Sequence, residues 1–266
     1  MAITLRSPWE IELMRKAGLV VAEVLLQLSN AAKPGISTGE LDLLARQIAE
    51  KAGAENLFDG VRGHLSNRPF PGAICASINE QVVHGIPSFE VRLKEGDILS
   101  IDYGARLSGY CADAAITVGI GSITDVKRRL LEVTKGALNT ALTEAKSGLR
   151  WSSVAWRMQR FVERAGFSVV KDLVGHGIGR QMHEEPQVPN YVDVKCNQKL
   201  RAGMTLAIEP MVNAGQPGVK ILKDGWTVVT QDGSLSAHFE HTVLITEGEP
   251  EILTCTERLP SRLKVS

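Results

Sequence analysis

Asp102 and Asp113 are spaced so that a single hairpin could hold both in one site. They fall in the stretch 93–118, where Leu99, Ile101 and Tyr103 alternate with Ser100, Asp102 and Gly104. That period of two predicts a strand. Ser108-Gly109 is a turn signal, and Ala115 to Val118 resumes a strand rich in β-branched residues. The two aspartates are equidistant from the midpoint between Leu107 and Ser108. A tight hairpin centred there sets them directly opposite one another, with Cβ atoms roughly 4.5–5.5 Å apart. Two facing carboxylates repel unless a positive charge lies between them, and a divalent cation is the most economical one. A turn displaced by a residue or two would instead leave one aspartate in solvent.

An internal repeat enlarges the pair to a set. The stretch 93–102 aligns with 200–209, and His84-Gly85-Ile86 resembles His176-Gly177-Ile178. Asp113 and the strand after it resemble Glu240 and the strand His241 to Ile245. Asp102 thereby maps onto Glu209, and Asp113 onto Glu240. Four carboxylates carry −4, which two divalent cations neutralise, whereas one leaves about −2 in a partly buried cavity. His176 sits in Gly175-His176-Gly177-Ile178-Gly179, where glycines permit close backbone approach. Oxygen-rich ligation with one imidazole suits Mn, Fe or Co better than a sulfur-bound structural zinc. In two-metal hydrolases such ions lie roughly 3.5–4 Å apart and lower the pKa of a shared water toward neutrality.

Each residue also has a plainer reading. Glu240, within His238-Phe239-Glu240-His241, could be a charged residue of an edge strand; His176 could be a turn histidine; Trp226 could be core. Glu209 lies in the apolar run 205–211, where a lone buried glutamate would be costly. His183-Glu184-Glu185 lacks the second histidine of H-E-x-x-H, which rules out a zincin motif.

The elements that must position these residues come in two rounds. Ser7-Pro8-Trp9-Glu10 and Ser37-Thr38-Gly39-Glu40 are capping boxes that open two helices; Lys33-Pro34-Gly35 closes the first and Gly53 the second. Strands follow over 73–79 and in the 93–118 hairpin. Helices then restart near 122 and 152, an offset of 115 from the starts near 7 and 37. Strand patterns recur over 168–173, 204–212, 226–230 and 239–245. The expectation is an α+β fold of two pseudo-symmetric ααβββ halves, about 1–120 and 121–250, with a central antiparallel sheet covered by helices. One domain, 1–266, with a short C-terminal tail, accounts for the length.

Composition excludes several classes. The 44% hydrophobic and 23% charged content is that of an ordinary globular chain, and 30 basic residues balance 30 acidic ones. There is accordingly no compositional case for nucleic acid or an acidic membrane as partner. Cys75, Cys111, Cys196 and Cys255 form no C-x-x-C pair, so neither a zinc knuckle nor a disulfide framework is expected, and reduced thiols fit a cytoplasmic protein. No apolar run has the length of a signal peptide or a membrane span.

At these residues the chain closely resembles the type I methionine aminopeptidases. The matching segments include Ile78-Asn79-Glu80 through Pro87, Ile101-Asp102-Tyr103-Gly104, and Gly175-His176-Gly177-Ile178-Gly179-Arg180. They continue with Met182 to Pro189, Ile208-Glu209-Pro210-Met211, Asp224-Gly225-Trp226-Thr227, and Leu235 to Thr242. The resemblance implies the pita-bread fold and removal of the initiator methionine from nascent polypeptides when the second residue is small. It implies Asp102, Asp113, His176, Glu209 and Glu240 as ligands of two divalent ions (Co, Mn, Fe or Zn), with Asp113 and Glu240 bridging. Glu209 also takes or passes the proton of the attacking water. His84 contacts substrate near the scissile amide, and His183 polarises the carbonyl or holds the tetrahedral intermediate. Phe70, Cys75 and Trp226 line the methionine pocket, where sulfur–aromatic contacts suit a thioether.

The loop 63–69 departs from the family pattern, and an expected aromatic near Asn67 is absent. The lack of a cysteine-rich N-terminal extension or a long insertion favours the short, bacterial-type enzyme; a monomer in transient contact with the ribosome is the further expectation. A pita-bread relative that cleaves Xaa-Pro bonds would share the five ligands but usually carries an additional N-terminal domain. A non-catalytic binding module on the same fold would typically have lost ligands.

Overall fold

A computed structural model describes residues 3–63, 68–256 and 259. Asn67 and most of the C-terminal tail lie outside the described residues. The helices α1 (Pro8–Ala31) and α2 (Thr38–Ala52) lead into β1 (Glu55–Asn56), β2 (Cys75–Ile78) and β3 (Gln81–Val83), then the hairpin β4 (Ile98–Leu107) and β5 (Tyr110–Gly119). A second round begins with α3 (Asp125–Glu144) and α4 (Trp151–Arg164). It continues through β6 (Ser168–Val169), β7 (Gly175–Gly177), β8 (Glu184–Val188), β9 (Thr205–Ile208) and β10 (Met211–Asn213). The last strands are β11 (Val219–Ile221), β12 (Val228–Thr230), β13 (Ser236–His238), β14 (Glu240–Leu244) and β15 (Glu251–Ile252).

Local chemistry starts and stops the helices where the sequence predicts. Ser7 and Ser37 each accept from the backbone N–H three residues on, and Glu10 and Glu40 return the bond. Gly53 ends α2 in the left-handed conformation, φ 67°. In the second round Thr124 caps α3, which stops at Glu144, short of Gly148.

The main sheet is antiparallel, in the order β1-β4-β5-β14-β9-β7-β8, with β2 also on β4 and β15 on β14. Its two long pairings, β4 with β5 and β14 with β9, therefore flank a central β5–β14 junction. Helices α1 and α2 pack on the first pairing through Val21, Val24, Leu28 and Leu41 against Leu99, Ile101 and Tyr103. Around Leu130, Trp151 and Met158 of α3 and α4 the second core gathers Leu206, Ile208 and Val243. Two small sheets, β13-β10-β6 and β11-β12-β3, flank the main one. Among the described residues no helix is long and apolar enough to cross a membrane.

The hairpin differs from its expected register. Leu107 pairs with Tyr110, so the turn is centred on Ser108-Gly109, one residue beyond the assumed midpoint. Both turn residues take positive φ, 52° and 80°, the requirement of a two-residue hairpin loop that Ser-Gly meets and Leu-Ser would not. Asp113 therefore faces Gly104, and Asp102 faces Ala115. A one-residue move of the centre shifts the pairing by two, which preserves the side-chain face. The aspartates are diagonal rather than direct neighbours, and both remain on the face turned away from α1 and α2.

Several strands are shorter than the pattern suggests. The stretch 204–212 divides between two strands in different sheets, β9 in the main sheet and β10 in a small one, whereas 239–245 is β14 alone with β13 just before it; β9 pairs with β14 and β10 with β13. Pro210 has no N–H to give the ladder, and its carbonyl accepts from Phe239 N at 3.3 Å across the crossing. Glu209 and Glu240 occupy that crossing. Only Ser168 and Val169 of 168–173 are extended, and 226–230 reduces to β12.

Packing predicts where stability resides. Leu28 is fully buried in the first core. Leu28→Ala is expected to lose about 2–5 kcal/mol in urea unfolding. Ser37→Ala, which removes one cap, should lose about 1 kcal/mol. A Leu28→Ala loss no larger than the cap's would contradict the packing of α1 on the hairpin.

Candidate metal centre

The four acids arrive from the two strand pairings. Asp102 sits on β4, Asp113 on β5, Glu209 directly after β9, and Glu240 at the first position of β14. The central strands share only two ladder pairs, Glu240 with Ala115 and His241 with Ala114. On either side, threonine hydroxyls replace the ladder. Thr242 Oγ1 accepts from Asp113 N at 2.9 Å and donates to Asp113 O at 2.8 Å. Thr117 Oγ1 accepts from His238 N at 2.9 Å and donates to His238 O at 2.7 Å. Both clamps hold a residue whose side chain enters the site.

His176 comes in on β7, which presses against its neighbours. A Cβ on Gly175 would lie 2.3 Å from Ala207 O, and one on Gly177 would lie 2.2 Å from Glu185 O, so only glycine fits on either side of the histidine. His176 Nδ1 is 3.0 Å from the Gly177 carbonyl. A carbonyl can only accept, so Nδ1 carries the proton and the Nε2 lone pair faces the acids, 3.6 Å from Glu209 Oε1. His183, before β8, packs edge-on against His176 with ring centroids 4.3 Å apart. His84 follows β3 with φ 58°, a left-handed backbone that a non-glycine residue holds only under constraint.

All ten residues singled out in the sequence line one cavity of about 300 Å³. Its apolar end is built from Phe70, Cys75 and Trp226, with Phe58 and Met182, neither of which the sequence assigns to the pocket. Phe70 and Trp226 meet edge to face at 5.3 Å, and Gly63 lies flat against the indole, where a Cβ would come within 2.9 Å. Asp224 holds Trp226 by accepting from its N–H at 2.8 Å. A second cavity of about 390 Å³ opens from the same acids past His84, Leu173, Gln187 and Met211. His238 also lines it and was likewise not singled out. The signal was available: it shares strand parity with Glu240.

Electrostatics defines what the cluster needs. Burial raises the Asp102 carboxyl well above its ordinary range, and the charges of Asp113 and Glu209 add to the shift. Burial, then Asp113, does the same to Glu209; Glu240 is raised by burial and by all three other acids. Asp113 is pushed up to about 6, chiefly by burial. Burial, with His183 nearby, lowers His176 to about 3 and His84 to about 4, so both are neutral near pH 7. Burial and the acids Asp102 and Asp113 raise the Cys75 thiol, which stays protonated and acts as lining rather than nucleophile.

The donors fit a divalent cation. Asp102 Oδ1, Asp113 Oδ1 and Glu240 Oε1 are buried without any hydrogen-bond partner. Ligand atoms of Asp113, His176 and Glu240 all lie within 4.8 Å of one another. Carboxylate oxygens plus one neutral imidazole form a set that Mn, Fe, Co or Zn accepts.

Comparison with known proteins agrees with this geometry. The model of metallopeptidase family M24 matches residues 12–247. Methionine aminopeptidase 1 of Bacillus subtilis is 50% identical over 252 residues, 95% of this chain and 99% of that protein. The methionine aminopeptidase of Escherichia coli K12 is 44% identical over 254 residues, 96% of this chain and 94% of its own. The crystal structure of methionine aminopeptidase from Thermotoga maritima superposes with a TM-score of 0.90 at 44% identity, covering 95% of this chain and 99% of that one. A prolidase from Pyrococcus furiosus, 23% identical with a TM-score of 0.75, shares the fold. The chain belongs to metallopeptidase family M24, in its methionine aminopeptidase branch, and has the pita-bread fold of that family.

The raised carboxyls predict proton release on metal uptake. At pH 6 an ordinary carboxyl, pKa about 4, is ionised, whereas Asp113, pushed up to about 6, is not fully so, and the other three are raised in the same direction. A cation favours their charged forms, so Mn(II) added to chelated protein at pH 6 should displace protons. His176 and His84, neutral already, contribute none. Calorimetry in two buffers of different ionisation enthalpy measures this, and uptake with no net release would contradict it. The linkage has a further sign: folded pKa values above the unfolded value of about 4 make the chelated protein less stable as pH rises from about 4 through 6 and beyond.

Proposed function

We propose that this site removes the N-terminal methionine from nascent polypeptides whose second residue is small, with two divalent cations among Co, Mn, Fe and Zn as cofactors. The observation that carries the reading is the junction itself. Four buried carboxylates and a neutral imidazole meet at one end of a cavity whose other end is apolar, aromatic and sulfur-lined. The site then joins two halves, about 1–120 and 121–250, of one catalytic domain, and the protein works as a cytoplasmic monomer in transient contact with the ribosome.

In this reading Asp102, Asp113, His176, Glu209 and Glu240 would hold the cations, Asp113 and Glu240 from the two central strands. When bound, the cations supply Lewis acidity that activates water and polarises the scissile carbonyl. Glu209 takes the proton of the attacking water; burial raises its basicity toward that task. His183, held neutral by desolvation of its ring, donates to the carbonyl oxygen as negative charge develops there. His84, fixed by its constrained backbone, contacts the scissile amide. Phe70, Cys75 and Trp226 receive the methionine side chain and hold it by sulfur–aromatic contact. The second cavity takes the residues beyond the scissile bond.

Hydrolysis of Met-Ala-Ser by chelated protein, with single metals added back, tests the proposal. Activity should vanish on chelation and return with metal, while an Ala-Pro peptide is left intact. Glu209→Gln should lower kcat by roughly 10²–10⁴-fold, the usual contribution of a positioned general base. Trp226→Ala should mainly raise KM. Equal rates for wild type and Glu209→Gln would sink the catalytic assignment; cleavage of only the proline peptide would sink the substrate assignment.

A further inference from the structure

His238 belongs to none of the roles described above, yet it is the most deeply buried imidazole of the site. It is 1% exposed, and neither ring nitrogen has a hydrogen-bond partner. Its backbone is clamped at both N–H and C=O by Thr117, so the ring cannot withdraw by moving the chain. Nε2 lies 4.0 Å from Glu209 Oε2 and 4.0 Å from Glu240 Oε2. The other oxygen of Glu209, Oε1, faces His176. The Glu209 carboxylate is thus straddled by two imidazoles, one on each oxygen.

Building on the metal-centre reading, we propose that His238 is a positioning residue that donates from Nε2–H to Glu209 and Glu240 and fixes how both carboxylates face the cations. At 4.0 Å the ring stands one ångström outside direct contact, and carboxylates turn easily about their terminal bonds. A small turn of either one satisfies the imidazole and an oxygen together. The need lies with the imidazole, a buried donor that loses water without other compensation. Groups one step behind a metal ligand set its orientation, and their loss typically weakens metal binding 10–100-fold. The bond also keeps Glu209 Oε1 pointed toward His176 while Oε2 is held. Its loss should therefore slow proton transfer more than it weakens peptide binding.

The test compares wild type with His238→Leu, which removes the donor, and His238→Gln, whose side-chain amide N–H restores one. Three quantities are read: Mn(II) affinity by calorimetry on chelated protein, kcat and KM for Met-Ala-Ser, and thermal unfolding of the chelated forms. His238→Leu should bind Mn(II) at least 10-fold more weakly and lose at least 10-fold in kcat with KM within about 3-fold. Its chelated form should unfold no lower than wild type, because a buried polar ring is replaced by an apolar side chain. His238→Gln should recover most of the affinity and of kcat. Wild-type Mn(II) affinity and kcat in His238→Leu would overturn the proposal alone, as would equal losses in the leucine and glutamine variants. If wild type itself takes up no Mn(II), the metal-centre reading fails and this proposal with it.

Discussion

Four carboxylates that repel one another, buried where two strand pairings meet, are the constraint on which the rest of the structure depends. Burial raises the pKa of all four, and the charge of neighbouring acids raises Asp102, Glu209 and Glu240 further. A fold gains nothing in stability from such a cluster by itself, because desolvated like charges oppose folding. Two cores of ordinary packing, one under α1 and α2 and one under α3 and α4, supply the stabilisation that tolerates it. Positive charge at the cluster then converts the same repulsion into affinity. The chain is a metallopeptidase because its scaffold is strong enough to hold an arrangement that only cations make favourable.

The scaffold resolves this by sparing the backbone at the junction. β5 and β14 form only two ladder pairs, and Thr117 and Thr242 satisfy the flanking backbone groups with their hydroxyls. The strand crossings at Glu209-Pro210 and Phe239 let two glutamates leave the regular pleat and turn toward the aspartates. The glycines flanking His176 bring a third strand close enough for an imidazole to join them. Strands and their ends carry the acids, while loops carry Trp226, Phe70 and His183 at the walls of the cavity.

Much of this was legible in the sequence because strand alternation and duplication are both periodic signals. Asp102 and Asp113 were placed on one face even though the hairpin centre was misjudged by a residue, since the error shifted the register by an even number. Glu209 and Glu240 were found by matching the second half to the first, and the methionine-pocket residues by resemblance alone. What failed was continuity. Residues 204–212 read as one unbroken strand because the run is mostly apolar, and Pro210 is the mark of the break between β9 and β10; the stretch 239–245 matches β14. The threonine clamps are not legible because their partners lie roughly 120 residues away, which no local pattern encodes; His238 shares strand parity with Glu240, a signal too weak by itself to set it apart. The left-handed backbone at His84 gave no local sign either.

The central claim is that the charge of four buried carboxylates is balanced by two cations held across the junction. Stoichiometric titration of chelated protein with Mn(II), followed by electron paramagnetic resonance, tests it most directly. The account predicts two ions bound per chain, with the six-line signal of isolated Mn(II) replaced by that of an exchange-coupled pair as the second ion enters, because Asp113 and Glu240 are proposed to serve both. Uptake of a single ion, or of two ions that remain magnetically independent, would contradict it.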